Sequence, residues 1–122
     1  MNYKKTESPV ARELKHAKAL IKKKEHWIQG TFARDPEGIK CNPRSADAFQ
    51  FCAVGALQHA KVSVISDSFL SAGSYLRLAA AVITGDELAE TATFNDSHTH
   101  EEVMELYDIA IAWAQGEFDA NT

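Results

Sequence analysis

The chain contains the residue types that a cysteine-dependent hydrolase uses, namely a thiol nucleophile, a histidine base, a group that orients the base and an amide that donates to the oxyanion. A nucleophilic cysteine also needs a lowered pKa, usually from a helix N-terminus or a neighbouring histidine. Cys52 is expected about seven residues inside a helix and within its apolar stripe, so we interpret it as a buried core residue. The hydrolase is the alternative function, and its candidate residues in chain order are Gln29, Cys52, Asn95, Asp96, His98 and His100.

Amides and carboxylates form a second candidate site, for a ligand instead of a reaction. Asn and Asp side chains often bond to nearby backbone groups and so fix turns. We therefore expect Asn95 and Asp96 to hold a turn before the last helix, with Phe94 in the core. The functional alternative is a ligand-facing cleft, whose candidate residues are Gln29, Asp35, Asn95 and Asp96.

Histidines and carboxylates are dense in residues 96–102, a composition that could ligate zinc. Glu101 and Glu102 are already explained by the start of a helix, where carboxylates suit the positive end of the dipole. No second pair of ligands stands at a recognised spacing, and the sequence has no glycine-rich phosphate loop. The sequence therefore predicts neither a metal nor another cofactor.

The net charge of −4 is unevenly distributed, because eight of the 13 Lys and Arg residues lie in residues 1–26. We expect the basic first helix to lie against the acidic last helix, so that the charges pair within the fold. The alternative is a nucleic-acid accessory protein that uses the first helix. The acidic remainder argues against nucleic acid, since it would repel phosphates from most of the surface.

Helical periodicity and local start and stop signals predict the secondary structure. Ser8 and Pro9 are an N-cap followed by a proline at the first helical position, and Thr99 with Glu102 is a capping box. The expected helices are residues 8–26, residues 45–60, a third from Ser66 or Ser68 to Gly85, a short one at residues 87–91, and a last from Thr99 to Gly116.

The long connection at residues 29–45 is expected to be irregular, with a turn at residues 35–38 and its start held in the core by Trp27, Ile28 and Phe32. Residues 61–66 suggest an extended connector. A strip formed by Ala48, Cys52 and Gly55 would let another helix approach closely. Amphipathic helices need one another's apolar faces. The predicted fold is therefore all-α, a compact bundle of four main helices plus one short helix.

The expected organisation is a mobile tail at residues 1–7, a single helical domain at residues 8–118 and a tail at residues 119–122. The sequence shows no signal peptide and no apolar run near the length of a membrane span. Two cysteines are too few for a disulfide framework and are expected as free thiols. These features predict a cytoplasmic protein.

Five short motifs follow one another in a fixed order across most of the chain. They are Trp27-x-Gln29-Gly30, Asp35-Pro36-x-Gly38, Phe51-Cys52-x-x-Gly55-Ala56-Leu57, Phe94-Asn95-Asp96 and Thr99-x-x-Glu102-Val103. This order resembles the domain-of-unknown-function family 6197, small proteins of bacteria and phages. The resemblance implies an all-helical intracellular domain. It does not indicate any particular biochemical activity.

Together these observations predict a small helical protein that acts by binding, without catalysis, in the cytoplasm of a bacterium or a phage-infected cell. The expected partner is a protein whose identity the sequence does not give. Nucleic acid and membranes are not expected partners, and the chain is expected to be a monomer or a homodimer.

Overall fold

The computed structural model describes residues 7–60 and 67–120, and this part of the chain is mostly helical, as predicted. Two short strands form an antiparallel pair in which Ala33 lies opposite Phe51 and Arg34 opposite Gln50. The elements in chain order are α1 (Pro9–Ile21), a 3-10 helix (Lys24–His26), β1 (Ala33–Arg34), β2 (Gln50–Phe51), α2 (Ala53–Ala60), α3 (Asp67–Thr84), α4 (Thr91–Ser97) and α5 (His100–Ala120).

Local signals at three helix ends are confirmed. The Ser8 hydroxyl accepts a hydrogen bond from the Ala11 amide at 3.2 Å, so Ser8 is the N-cap of α1. The Thr99 hydroxyl accepts from the Glu102 amide at 3.2 Å, and the Glu102 carboxylate accepts from the Thr99 amide at 2.8 Å. These two bonds are the predicted capping box. Gly85 follows the last residue of α3 with a φ of +74°, a conformation that favours glycine.

The expected end of the first helix is wrong, because α1 stops at Ile21 and the chain reaches His26 as a 3-10 turn. Ile21 is the last buried residue of α1, and three lysines follow it. The His100 ring nitrogen Nε2 lies 2.7 Å from the Ile21 carbonyl oxygen. That contact occupies a carbonyl that the helix end leaves without a partner.

The expected start of the second helix at Ser45 is also wrong, because α2 begins at Ala53. The side chains of Asn42 and Ser45 accept hydrogen bonds from amides two residues later, which holds this stretch in turns. The Phe49 amide then donates to the Arg34 carbonyl, and residues 50–51 pair with β1. The tertiary pairing overrides the helical periodicity of residues 49–60.

Two further helix boundaries differ from the prediction. The short helix lies at Thr91–Ser97 instead of residues 87–91, so Asn95 and Asp96 are helical and do not form a turn. Thr91, Phe94 and Asn95 are its buried face, with spacings of three and one residues. The last helix continues through Gly116 to Ala120, because a glycine inside a helix costs stability without ending it.

Gly55 lies inside α2 where the backbone at Phe32 passes close to the helix. A Cβ atom at this position would lie 1.9 Å from the Phe32 carbonyl oxygen. The small residue therefore makes room for the backbone at Phe32, directly before β1, and the expectation that it admits another helix is wrong. The same segment is held by a hydrogen bond of 3.2 Å from the Cys52 amide to the Phe32 carbonyl.

The core lies between α1, α2, α3 and α5, which contact one another, and α4 closes it against α2 and α3. Its largest fully buried apolar or aromatic side chains are Leu14, Ile21, Leu57, Leu76, Leu106 and Tyr107. Lys18 of α1 and Asp108 of α5 form an ion pair of 2.6 Å, so at least one positive charge of α1 is paired with a negative charge of α5. The expected connector at residues 61–66, a helix start at Ser66 and most of the expected N-terminal tail lie outside the described residues.

Candidate functional site

Asn95 is fully buried on α4, and all four of its side-chain hydrogen-bonding positions are used. Its oxygen Oδ1 accepts from the Trp27 indole nitrogen at 2.7 Å and from the Ala53 amide at 2.9 Å. Its nitrogen Nδ2 donates to the Ile28 carbonyl at 3.0 Å and to the Asp96 carboxylate at 3.2 Å. An amide has two acceptor and two donor positions, so Asn95 has none left for a ligand.

Gln29 and Asp96 join the same network from two sides. The Gln29 side chain donates to the carbonyls of Asn95 and His98, each at 3.0 Å. The Asp96 carboxylate accepts from the Gly30 amide at 2.9 Å. We call Trp27, Gln29, Asn95 and Asp96 the motif network, since they bring the first and fourth motifs of the sequence together. Its bonds join the segment after α1, the start of α2 and α4.

Asp35 lies apart from the motif network, although the sequence grouped it with Gln29, Asn95 and Asp96 as a ligand candidate. Its carboxylate oxygen Oδ1 accepts from the amides of Glu37 and Ile39, each at 2.9 Å. The Gly38 amide donates to the Asp35 carbonyl at 2.9 Å, which closes the predicted turn. Through these bonds Asp35 stabilises the turn that contains it and is not part of a site with Gln29, Asn95 and Asp96.

Cys52 is 3% exposed and directly precedes α2, so its expected position seven residues inside a helix is wrong. The Gly55 amide donates to its sulfur at 3.3 Å, as to a helix-capping side chain. Burial raises the pKa of the Cys52 thiol, and the Asp96 carboxylate raises it further. The backbone amides of Gly55 and Val54 lower this pKa, but the desolvation is larger. The helix N-terminus therefore does not activate this thiol.

The two histidines that were candidates for the catalytic base, His98 and His100, contact residues other than Cys52. The His98 ring stacks on Phe94 with 3.8 Å between ring centroids, and its Nδ1 lies 2.9 Å from the Phe94 carbonyl oxygen. His100 packs against Trp27 and bonds to the end of α1. A cavity of about 130 Å³ beside Cys52 is lined by Gly30, Thr31, Phe32, Cys52, Ala92 and Asp96, which include a carboxylate but neither histidine.

A groove of about 470 Å³ lies between α2, α3 and the start of α4. Its apolar lining comes from Phe32, Val54, Leu57 and Leu76, and Arg77 and Glu90 add one charge of each sign. Sequence reasoning missed this groove and expected Phe32 to be held in the core, whereas 47% of Phe32 is exposed. Its lining residues come from four separate segments of the chain. The sequence carries no local signal for the groove, because only the tertiary fold brings these segments together.

Across residues 7–60 and 67–120, no group of three or more His, Cys, Asp or Glu side chains is placed to hold a metal ion. Over the same ranges, no helix is long and apolar enough to cross a membrane.

A family model described as "Family of unknown function (DUF6197)" matches residues 5–112, which is most of the 122-residue chain. Searches of curated proteins and of solved structures gave no match.

Proposed function

The chain belongs to the Family of unknown function (DUF6197), and because that family carries no activity to transfer, we propose from the geometry that it is a non-enzymatic protein-binding module. The binding surface we assign is the groove between α2, α3 and α4. We further propose that its helices form a bundle and that it acts in the cytoplasm of a bacterium or a phage-infected cell.

The open, mostly apolar groove is the observation that carries this proposal. Its volume of about 470 Å³ is large enough to take several side chains of a protein segment, since pockets that hold a whole small molecule have about 300–1,000 Å³. Phe32 forms one wall of the groove and is 47% exposed. Aromatic side chains often supply much of the binding energy of a protein interface, so exposed Phe32 fits a contact residue. Arg77 and Glu90 supply charges that can orient a segment lying on the apolar floor. The groove therefore fits a protein segment that presents apolar side chains between charged ones.

The hydrolase alternative has weaker support. A thiol nucleophile needs a lowered pKa and a base within hydrogen-bond reach. Burial raises the pKa of Cys52, and His98 and His100 contact Phe94 and Trp27 instead. Asn95, which would orient the base, already makes hydrogen bonds to backbone groups and to the Trp27 indole, so it is not placed to bond to a histidine.

The nucleic-acid alternative also has weaker support, because part of the basic helix is already paired. Lys15 and Lys18 form ion pairs with Glu7 and Asp108 at 2.7 and 2.6 Å. Arg12 lies 3.9 Å from the same Glu7 carboxylate. These pairs reduce the free positive charge that phosphate binding would use.

The groove can be tested with two phenylalanines that are almost equally exposed. We expect Phe32→Ser to weaken capture of the partner about tenfold or more, since it removes a large apolar contact. Phe49→Ser is the matched control, because Phe49 is 45% exposed and packs on His26 outside the groove. The measurement is photo-crosslinking in native host cells from a reactive group placed at Gln58, followed by mass spectrometry of the adducts.

Wild type and Phe49→Ser should give the same protein adduct, and Phe32→Ser should lose it while keeping a wild-type melting temperature. The proposal fails if no protein is crosslinked, or if both serine variants reduce the adduct equally.

A further inference from the structure

The small cavity beside Cys52 adjoins the groove, because Phe32 and Ala92 line both of them. We call it the Asp96 cavity, after the carboxylate in its lining. Its volume of about 130 Å³ is well below the lower limit of about 300 Å³ for pockets that hold a whole small molecule. The Asp96 cavity therefore has room for one side chain of a segment that lies in the groove.

Asp96 is the single charged residue in the lining of this cavity. Cys52 is the other titratable lining residue, and burial raises the pKa of its thiol, so the thiol stays neutral at physiological pH. Within residues 7–60 and 67–120, Asp96 forms no ion pair with a lysine, an arginine or a histidine. The cavity thus carries one negative charge that the described part of the fold does not neutralise.

The two oxygens of the Asp96 carboxylate are used differently. Oδ1 accepts from the Gly30 amide at 2.9 Å and from the Asn95 nitrogen Nδ2 at 3.2 Å, which fills its two acceptor positions. Oδ2 makes no hydrogen bond to any residue that the structure describes. One available oxygen suits the compact ammonium of a lysine, whereas the planar guanidinium of an arginine bonds best to both oxygens of a carboxylate.

We propose, on the basis that the groove is the protein-binding surface, that the bound segment inserts one lysine side chain into the Asp96 cavity and places its ammonium against Asp96 Oδ2. The methylene stem packs on Phe32 and Ala92, the two residues that the groove and the cavity share. The Phe32 ring adds an attraction between its face and the cation. The apolar side chains of the same segment occupy the groove.

The other charges of the groove favour a lysine at this end of the segment. Glu90 directly precedes α4 and adds a second negative charge on the side of Asp96. Arg77 lies on the α3 side of the groove and disfavours a lysine there. The whole chain carries a net charge of −4, which attracts a basic segment in solution. The charge pattern therefore sets both the type of partner and its direction in the groove.

Random peptides displayed on phage and selected against the full chain supply a probe for this cavity. Wild type should enrich peptides in which a lysine stands next to apolar residues. In fluorescence anisotropy with the synthetic peptide, replacing that lysine by methionine should weaken binding about tenfold, because the stem remains and the charge is lost. Replacement by arginine should also weaken binding.

Asp96→Asn tests the carboxylate, since the asparagine keeps one oxygen for the Gly30 amide. We expect it to bind the lysine peptide about tenfold more weakly and the methionine peptide with wild-type affinity. Asp35→Asn is the matched control, because it makes the same change of net charge in a turn outside the cavity. It should bind both peptides as wild type does.

Two failures are distinguishable. Selected peptides that lose affinity with Phe32→Ser but show no preference for lysine, or that Asp96→Asn and Asp35→Asn weaken equally, would overturn the lysine contact and leave the groove as the binding surface. Selection of no peptide, or of peptides that Phe32→Ser binds as wild type does, would overturn the groove and the lysine contact together.

Discussion

Asn95→Ala is expected to lower the free energy of unfolding by about 4 kcal/mol, since each buried polar group left without a partner costs about 1–3 kcal/mol. The substitution would leave the Trp27 indole nitrogen, the Ala53 amide and the Ile28 carbonyl without their present partner. It would also leave a small cavity at a fully buried position. Urea denaturation followed by circular dichroism measures the loss.

Asn42→Ala is the matched control for this substitution. Asn42 is exposed, and its side chain accepts one hydrogen bond, from the Arg44 amide at 2.8 Å. We expect it to cost about 1 kcal/mol or less, and Asp96→Ala to cost about 1 kcal/mol through the Gly30 amide that loses its acceptor. An Asn95→Ala variant as stable as Asn42→Ala would show that the motif network does not hold the fold together.

Gly55→Ala is the second substitution with a large expected effect. The new Cβ atom would lie 1.9 Å from the Phe32 carbonyl oxygen and 2.8 Å from its carbon, far inside contact distance. Both partners are backbone atoms, so no side chain can rotate away. Overpacking of a rigid site costs about 1–3 kcal/mol and sometimes more, and we expect about 3 kcal/mol here. The melting temperature and the urea midpoint should both fall.

Gly116→Ala serves as the control, because Gly116 lies inside α5 and its Cβ would meet nothing within 4 Å. Alanine has the higher helix propensity, so this substitution should raise stability by about 0.5–1 kcal/mol. If Gly55→Ala were also neutral or stabilising, the segment at Phe32 would not lie as close to α2 as the structure places it.

The parts of the fold that the sequence predicted well are those set by neighbours in the chain. The Ser8 cap, the Thr99–Glu102 capping box and Gly85 after α3 each depend on contacts within three or four residues. The start of α2 was missed because it depends on β2 pairing with β1, whose residues lie 16–18 positions earlier. Helical periodicity alone cannot distinguish a strand of two residues from a first helical turn.

The difference between local and long-range contacts also explains how much of the candidate site the sequence could predict. It singled out Gln29, Asn95 and Asp96 by residue type, yet the hydrogen bonds that link Gln29 and Gly30 to residues 95–98 span 66–69 positions. Asp35 is chemically equivalent to Asp96 in the sequence but bonds within its own turn. The groove could not be predicted, since its walls come from segments that only the tertiary fold brings together.

Alkylation of Cys52 decides most directly between a structural and a catalytic role for the motif residues. The measurement uses a Cys41→Ser variant, which leaves Cys52 as the single thiol, and follows its reaction with iodoacetamide against pH. Because burial raises the Cys52 pKa, native alkylation should be far slower than in denaturant, with a midpoint above that of a free cysteine. Fast native alkylation with a midpoint well below that value would contradict the structural role and favour the hydrolase.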